Sequence, residues 1–291
     1  MSVDPLAFRR EQVPRTPRGK SVGSRPKTAP RLAPEPTFHS RYECKYVIDP
    51  ISVPELRDFL RPHTEPDEFA VLRPGFRYPI CSLYLDSHDL RLYQQTVCGE
   101  KDRFKLRVRS YSDDPATPAF FEVKRKLNNI VHKRRAALNR RQAQELLARN
   151  VFDSSTLDRI DREDLEYFDS RVSLIEARPI VRVKYMREAY QARGNEPVRV
   201  TLDTELSHAI TFDHELSHTS GRWTATPLNG VILEIKFTER FPWWVQDLIR
   251  QFGLFQKGVP KYVMSVDHML LDGRESALAL GGVTLPPIRR G

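Results

Sequence analysis

The sequence predicts an α+β fold, mainly β: a closed antiparallel β-barrel with a charged lumen and helices packed on the outside. Two observations carry that reading. Six segments place a charged residue at every second position with apolar residues between them, and the intervening segments show apolar spacing near 3.6. The first segment is Lys105-Leu106-Arg107-Val108-Arg109. As a strand it sends Lys105, Arg107 and Arg109 to one face and Leu106 and Val108 to the other. A lone run of this kind reads equally well as an edge strand facing water. The other runs are Glu43 with Lys45, Glu122 with Lys124 and Lys126, Arg182 with Lys184, Arg199 with Thr201 and Asp203, and Glu234 with Lys236. A common bias toward cations across six strands fits one barrel whose apolar side lies under helices. Like charges about 4 Å apart repel by roughly 4 kcal/mol at an effective dielectric near 20. Such a lumen therefore asks for an anion.

In chain order, strands are expected at 40–48, 79–86, 105–111, 119–126, 130–138, 180–190, 198–206 and 231–237. The third run of cations in the central block, Lys133-Arg134-Arg135, belongs to the strand at 130–138. Ser52 and Glu55 form a capping-box pattern ahead of Leu56, Phe59 and Leu60, which predicts a helix. Asn139 is placed to cap a helix through Leu147, and Leu165, Phe168, Val172 and Ile175 give a helix over 162–177. A short helix is expected around 89–93. Pro242 opens a helix whose buried stripe is Trp244, Leu248 and Phe252. Residues 210–228 are polar and read as a hairpin or loop, and 261–271 as a closing segment.

Composition sets the limits of the domain. Residues 1–38 are rich in Pro, Arg and Ser without apolar periodicity, which predicts a disordered basic tail. The tunnel domain is expected over 39–272, followed by a loose tail at 273–291. The net charge is +9, which favours an anionic partner. Eight cations face three carboxylates in the first forty residues, so that tail holds five of the nine charges. Three cysteines, Cys44, Cys81 and Cys98, with no Cys-x-x-Cys pair, argue against a disulfide framework or a zinc site and suit a reducing cytoplasm. No apolar run approaches a membrane span.

The chain has no Gly-x-x-x-x-Gly-Lys loop, no Gly-x-Ser-x-Gly elbow and no His-Glu-x-x-His. His208, His214 and His218 are read as solvent-exposed, with a metal-binding trio as the alternative. The remaining inventory of lysines, arginines and a few carboxylates suits phosphoryl transfer, which needs charge neutralisation, positioning and a divalent metal. A hard cation can use one carboxylate together with substrate phosphates. Glu234 is the first choice; Glu122, Glu43 and Asp203 are alternatives or ion-pair partners of nearby cations.

Several motifs occur in a fixed order: Glu43-x-Lys45, Tyr84-Leu85-Asp86 with Leu92-Tyr93, Arg107-x-Arg109, Glu122-x-Lys124, Arg182 with Tyr185 and Arg187, Arg199-x-Thr201-Leu202-Asp203-Thr204, Leu233-Glu234-x-Lys236, and Lys261-Tyr262. The chain resembles the VTC domain, the polyphosphate polymerase branch of the triphosphate tunnel metalloenzymes, from about Phe38 to Leu271. The resemblance implies an ATP-polyphosphate phosphotransferase, extending a polyphosphate chain with the γ-phosphate of ATP inside the tunnel, with Mn²⁺ or Mg²⁺. It implies catalytic roles for Lys45, Arg107, Arg109, Lys124, Arg182 and Lys261. Lys105, Lys126, Lys133, Arg135, Lys184, Arg199 and Lys236 join them as phosphate contacts, and Glu234 holds the metal. No specific nucleic acid is expected as partner. The alternatives are a triphosphatase of the same fold and a non-catalytic module binding polyphosphate or nucleic acid. Tunnel triphosphatases usually open with Glu-x-Glu-x-Lys, and Arg41 stands at the first Glu position, as the polymerase branch implies. One departure is Pro260, where the polymerases often carry a small hydroxyl residue before the closing lysine; it removes a hydroxyl and a backbone donor.

Overall fold

The computed structural model describes residues 41–275 apart from 129, 150–156, 195–196 and 239–240. The expected basic tail at 1–38 and nearly all of 273–291 lie outside these residues. In chain order the elements are β1 (Arg41–Ile48), α1 (Val53–Leu60), β2 (Thr64–Pro66), α2 (Glu68–Val71), β3 (Arg77–Asp86), α3 (Arg91–Val97), β4 (Asp102–Ser110), β5 (Ala119–Leu127) and β6 (Ile130–Leu138). They continue with α4 (Arg140–Arg149), α5 (Arg159–Ile175), β7 (Arg178–Ala192), β8 (Arg199–Ile210), β9 (Thr224–Ala225), β10 (Val231–Thr238), α6 (Trp243–Gln251) and α7 (Lys261–Glu275). The closing segment is thus a helix, and it runs past Gly273 into the stretch expected to be loose.

The strands form one antiparallel sheet in the order β1-β10-β8-β7-β3-β4-β5-β6, with β2 on β7 and β9 on β8. The expectation of a closed barrel is corrected: β1 and β6 do not pair, and the sheet has two edges. The physical reason lies in what covers those edges. The Lys45 carbonyl on β1 accepts from the Lys257 backbone N–H at 2.8 Å. On β6, the backbone N–H groups of Arg135 and Ala137 donate to the carboxylates of Asp164 and Asp161 on α5, at 2.9 and 3.2 Å. Edge groups that a closing ladder would use are already satisfied. Side chains nonetheless bridge the gap, because Lys124 on β5 lies 3.4 Å from Glu43 on β1. The sheet is a curled trough, held across its opening by ions instead of backbone hydrogen bonds.

Apolar faces explain the curl. Outside, Leu106, Val108, Phe121 and Val123 pack with Leu165 and Phe168 of α5. Elsewhere on the outside, Val200, Leu202, Leu233 and Ile235 pack with Leu56 of α1 and Trp244 and Leu248 of α6. Inside, α7 plugs the trough: Tyr262, Val266 and Leu270 pack with Tyr84, Val181, Val183 and Tyr185.

Local signals work as follows. Asn139 accepts from the Gln142 N–H at 2.8 Å and caps α4. The Ser52 capping box is not formed. Asp49 instead accepts from Ile51 and starts a 3-10 turn over Pro50–Ser52, which runs into α1. α3 begins at Leu90, whose backbone is left-handed and whose side chain cannot cap. Buried Asp86 takes over that role: it accepts from the N–H groups of Ser87, Leu92 and Tyr93 at 2.7–2.9 Å, and from the Tyr262 hydroxyl at 2.6 Å. The Tyr84-Leu85-Asp86…Leu92-Tyr93 motif is therefore the joint that ties β3, α3 and α7 together.

Candidate functional site

The registers bring four adjacent strands into phase. Tyr84 faces Arg107, Arg107 faces Glu122, and Glu122 faces Arg135. One step along, Lys105, Lys124 and Lys133 form a cross-strand row. Across the trough, Lys45 faces Glu234, which faces Thr201, and Lys236 lies beside both Glu43 and Arg199.

Three carboxylate centres hold this basic wall. Glu122, 1% exposed, lies 2.6 Å from Arg107, 2.9 Å from Lys133 and 3.4 Å from Arg135. Burial alone would raise its pKa, but Arg107, Arg109, Lys133 and Arg135 outweigh that and hold it well below the usual carboxylate range. Asp203 accepts a bidentate pair from Arg187 at 2.6 and 2.7 Å and a third contact from Lys261 at 2.7 Å. Its pKa is lowered too, the two cations overcoming its burial. Glu43 and Glu234 form the third centre. They share two lysines: Lys45 at 2.8 and 3.5 Å, and Lys236 at 3.9 and 2.7 Å respectively. Burial and the Glu234 charge push the Glu43 pKa up, but Lys45, Lys124 and Lys236 bring it down to about 2.

Some cations are left short of anions. Lys105 has no carboxylate within ion-pair distance among the described residues; burial, reinforced by Lys45, Lys124 and Arg107, lowers its pKa to about 8 despite Tyr84. Lys133 is likewise lowered to about 8 by burial, with Arg135 and Arg107 adding to the effect. The Tyr84 hydroxyl would be raised by burial, yet Arg107, Arg109 and Lys105 bring it down to about 8. Arg109 is buried, its Nε 3.3 Å from the Ser82 hydroxyl. Burial leads the lysine shifts and neighbouring cations deepen them; the Tyr84 shift, made against its burial, is the one that reports the positive potential of Arg107, Arg109 and Lys105.

Of the residues named from sequence, Lys45, Lys105, Arg107, Arg109, Lys124, Lys133, Arg135, Glu234, Lys236 and Lys261 meet in the trough. Lys126 follows Lys124 on the same face of β5 and makes no ion pair among the described residues. Arg199 sits toward one end, bonded to Asp67 at 2.6 Å and to the Tyr78 hydroxyl at 3.3 Å.

Arg182 and Lys184 are not in the trough, and their expected place there is corrected. In β7 the inward residues are Val181, Val183, Tyr185 and Arg187, opposite Tyr84, Ser82, Ile80 and Tyr78. Arg182 points outward and holds the 211–223 segment, contacting the Ser217 carbonyl and Ser220 hydroxyl at 3.1 Å each and Glu215 at 3.5 Å. Lys184 donates to the His218 carbonyl at 3.0 Å and sits over the Trp223 ring. The β7–β8 register shifts where Glu205 (φ 56°) and Leu206 of β8 stand against Tyr185 alone; the extra residue lies in β8, and β7 keeps its alternation. The inward cation of β7 is Arg187, which the alternation of Arg182 and Lys184 concealed.

The histidines also differ from expectation. His208 and His218 are buried, His208 beside Thr226 and His218 beside Ser110, both at hydrogen-bond distance. Burial brings the His218 pKa down to about 4. No group of three or more His, Cys, Asp or Glu side chains suited to a metal occurs among the described residues. Glu234 and Glu43 could supply two carboxylates. Beside them in register, the buried Thr201 hydroxyl has no hydrogen-bond partner. This donor set is too sparse to enclose a metal with protein ligands alone. It fits a hard cation that draws its other oxygens from a bound phosphate.

A curled antiparallel sheet around a wall of lysines and arginines, plugged by α7, makes a basic trough. Residues 40–270 match the VTC domain, and the chain belongs to that family. It is 24% identical over 207 residues to the vacuolar transporter chaperone complex subunit 2 of Schizosaccharomyces pombe. That match spans 64% of this chain and 28% of the yeast protein. Among solved structures, it resembles a candidate adenylate cyclase from Bacillus halodurans with a TM-score of 0.43 and 14% identity, covering 75% of this chain and 91% of that one. A candidate adenylyl cyclase from Hippeastrum with a dominant triphosphatase activity gives 0.43 and 15%, covering 79% and 96%. Among the described residues no helix is long and apolar enough to cross a membrane.

Proposed function

We propose that the tunnel is a metal-dependent polyphosphate polymerase, transferring the γ-phosphate of ATP to a growing polyphosphate chain. The observation that carries this over hydrolysis is the state of the carboxylates. Glu43, Glu122, Asp203 and Glu234 are each paired with two or more cations, and the lowered pKa values of Glu122 and Asp203 make them poor proton acceptors. Activating water calls for a general base. The end of a phosphate chain is already an anionic nucleophile and calls only for positioning and charge neutralisation.

In this reading Arg107, Arg109 and Arg187 grip the triphosphate, with Lys261 beside it. Lys45, Lys105, Lys124, Lys126, Lys133, Arg135, Arg199 and Lys236 hold the remaining phosphate oxygens along the wall. The bound anion would share these cations with Glu122 and Asp203, which stay paired. Glu234, with Glu43, would hold Mn²⁺ or Mg²⁺ against the phosphates, and the ion would supply charge neutralisation there. Arg182 and Lys184 act as structural residues under the outer loop.

Incubating the purified chain with ATP and Mn²⁺ should yield polyphosphate on a gel and ADP by chromatography in matching amounts. ADP with orthophosphate and no polymer would make it a triphosphatase. Tripolyphosphate binding without turnover would make it a binding module, the reading that Pro260 before Lys261 favours.

A further inference from the structure

The trough contains a second kind of surface beside its charges. Four aromatic rings follow one another in a strip, each edge-on or tilted to the next. Phe120 and Tyr111 have centroids 5.7 Å apart, Tyr111 and Tyr78 6.2 Å, and Tyr78 and Phe69 6.5 Å. The strip starts at the arginine layer. Phe120 is the cross-strand partner of Arg109, and the Arg135 guanidinium lies 3.5 Å over the Phe120 ring while its Nε stays 3.4 Å from Glu122. Tyr78 is buried, but Phe69, Tyr111 and Phe120 each keep part of their surface accessible. Phe69 and Tyr111 pack against the core on one side.

A chain of phosphates gains nothing from this strip. The face of an aromatic ring is electronegative and repels anions, and apolar surface cannot solvate them. A ligand that carries a flat heterocycle behind its phosphates gains stacking area instead. Nucleobases stack on aromatic side chains and on guanidinium planes alike.

We propose that the strip is a base subsite: it takes the nucleobase of a nucleoside triphosphate whose phosphates lie on Arg107 and Arg109, with Phe120, Tyr111 and Arg135 forming the stacking surface and Phe69 its outer end. The inference rests on the reading of the tunnel as a nucleotide-using site. It adds a way for the site to tell a nucleotide donor from its own polymer, since the two share their phosphates and differ in the base. Tripolyphosphate, the more highly charged ligand, is favoured by the cations, and stacking offsets that advantage for the nucleotide.

The test is calorimetric titration of the purified chain with tripolyphosphate and with the β,γ-imido analogue of ATP, at one Mn²⁺ and salt concentration. Phe120→Leu and Tyr111→Leu keep apolar bulk and remove a stacking face. Each is expected to weaken analogue binding about tenfold, within the range of one stacked base, and to leave tripolyphosphate within twofold. Phe69→Leu, on a short helix at the end of the strip, is expected to weaken the analogue by about threefold while tripolyphosphate stays within twofold. Equal loss for both ligands would make the rings scaffold and overturn the subsite, as would analogue binding unchanged in all three variants. Wild-type protein that binds tripolyphosphate but not the analogue would also overturn the subsite and leave the tunnel reading standing. Wild-type protein that binds neither would overturn both.

Discussion

Strands β4 and β7 carry the same alternation of cations and apolar residues and turn it to opposite faces of one sheet. In β4, Leu106 and Val108 are wholly buried in the outer layer with Phe168 of α5. Lys105, Arg107 and Arg109 are left to the trough. In β7, Val181, Val183 and Tyr185 pack inward against Tyr262 and Val266 of α7. Arg182 and Lys184 are left to the outside, where the 211–223 segment covers them. The face a cation takes is decided by the partner its apolar neighbours find. In one strand the cations line the trough; in the other they fasten a loop.

Four predictions press on that difference, from the largest expected effect to the smallest. Glu234→Gln keeps the shape of the trough and removes one carboxylate between Lys45 and Lys236. Turnover should fall about 100- to 1,000-fold, the usual loss when a charge-stabilising group is removed. Tripolyphosphate affinity should hold or rise, because a negative charge has left the site. Near-normal metal-dependent turnover would move the metal assignment to Glu122.

Arg182→Ala should act in the opposite way. It removes three contacts of a side chain that is 3% exposed. The loss in denaturant midpoint should correspond to about 2–3 kcal/mol, with tripolyphosphate affinity unchanged within twofold. A loss of affinity instead of stability would return Arg182 to the site.

Tripolyphosphate itself should stabilise the inner wall. At about 100 times its dissociation constant the gain is roughly 2.7 kcal/mol by mass action. Thermal unfolding with sulfate at matched ionic strength separates this from screening, and no shift at low salt would refute a charge-strained trough.

The smallest effect is on pH. Lys105 and Lys133, with pKa lowered to about 8, and Tyr84, also lowered to about 8, bind fewer protons in the folded than in the unfolded chain above that pH. Stability rises with pH wherever the unfolded state binds more protons. The share of Lys105 alone should be a gain of about 1 kcal/mol for the empty protein between pH 7.5 and 9, while tripolyphosphate binding weakens over the same window as the lysines lose charge. Lys105→Met should flatten both trends. Parallel trends for stability and binding would contradict the cause assigned to these shifts.

Much of the fold could be read from the sequence because its signals are local. The alternation in β4 and at 199–203 of β8 has a single apolar phase, and Asn139 stands one residue before α4 with its capping bond formed. The β7 segment gave no such lead, because both of its phases hold apolar and charged residues and the face each takes is set by the α7 and 211–223 partners it meets. The open edge was equally out of reach. It is set by Asp161, Asp164 and Lys257, which contact strands far away in sequence. Arg187 became visible as a tunnel residue only through its pairing with Asp203, and the aromatic strip only through the meeting of α2, β3, β5 and the end of β4.

In the proposed function, the inner face of the sheet reads phosphate and the outer face does not. Calorimetric titration of tripolyphosphate into Arg107→Ala and Arg182→Ala, side by side with the wild type, tests it most directly. Deleting a buried, hydrogen-bonded charge at a binding surface costs roughly 2–5 kcal/mol, so Arg107→Ala should lose about 100-fold or more in affinity while Arg182→Ala stays within twofold. Equal losses in the two variants, or a loss confined to Arg182→Ala, would contradict the assignment of the faces.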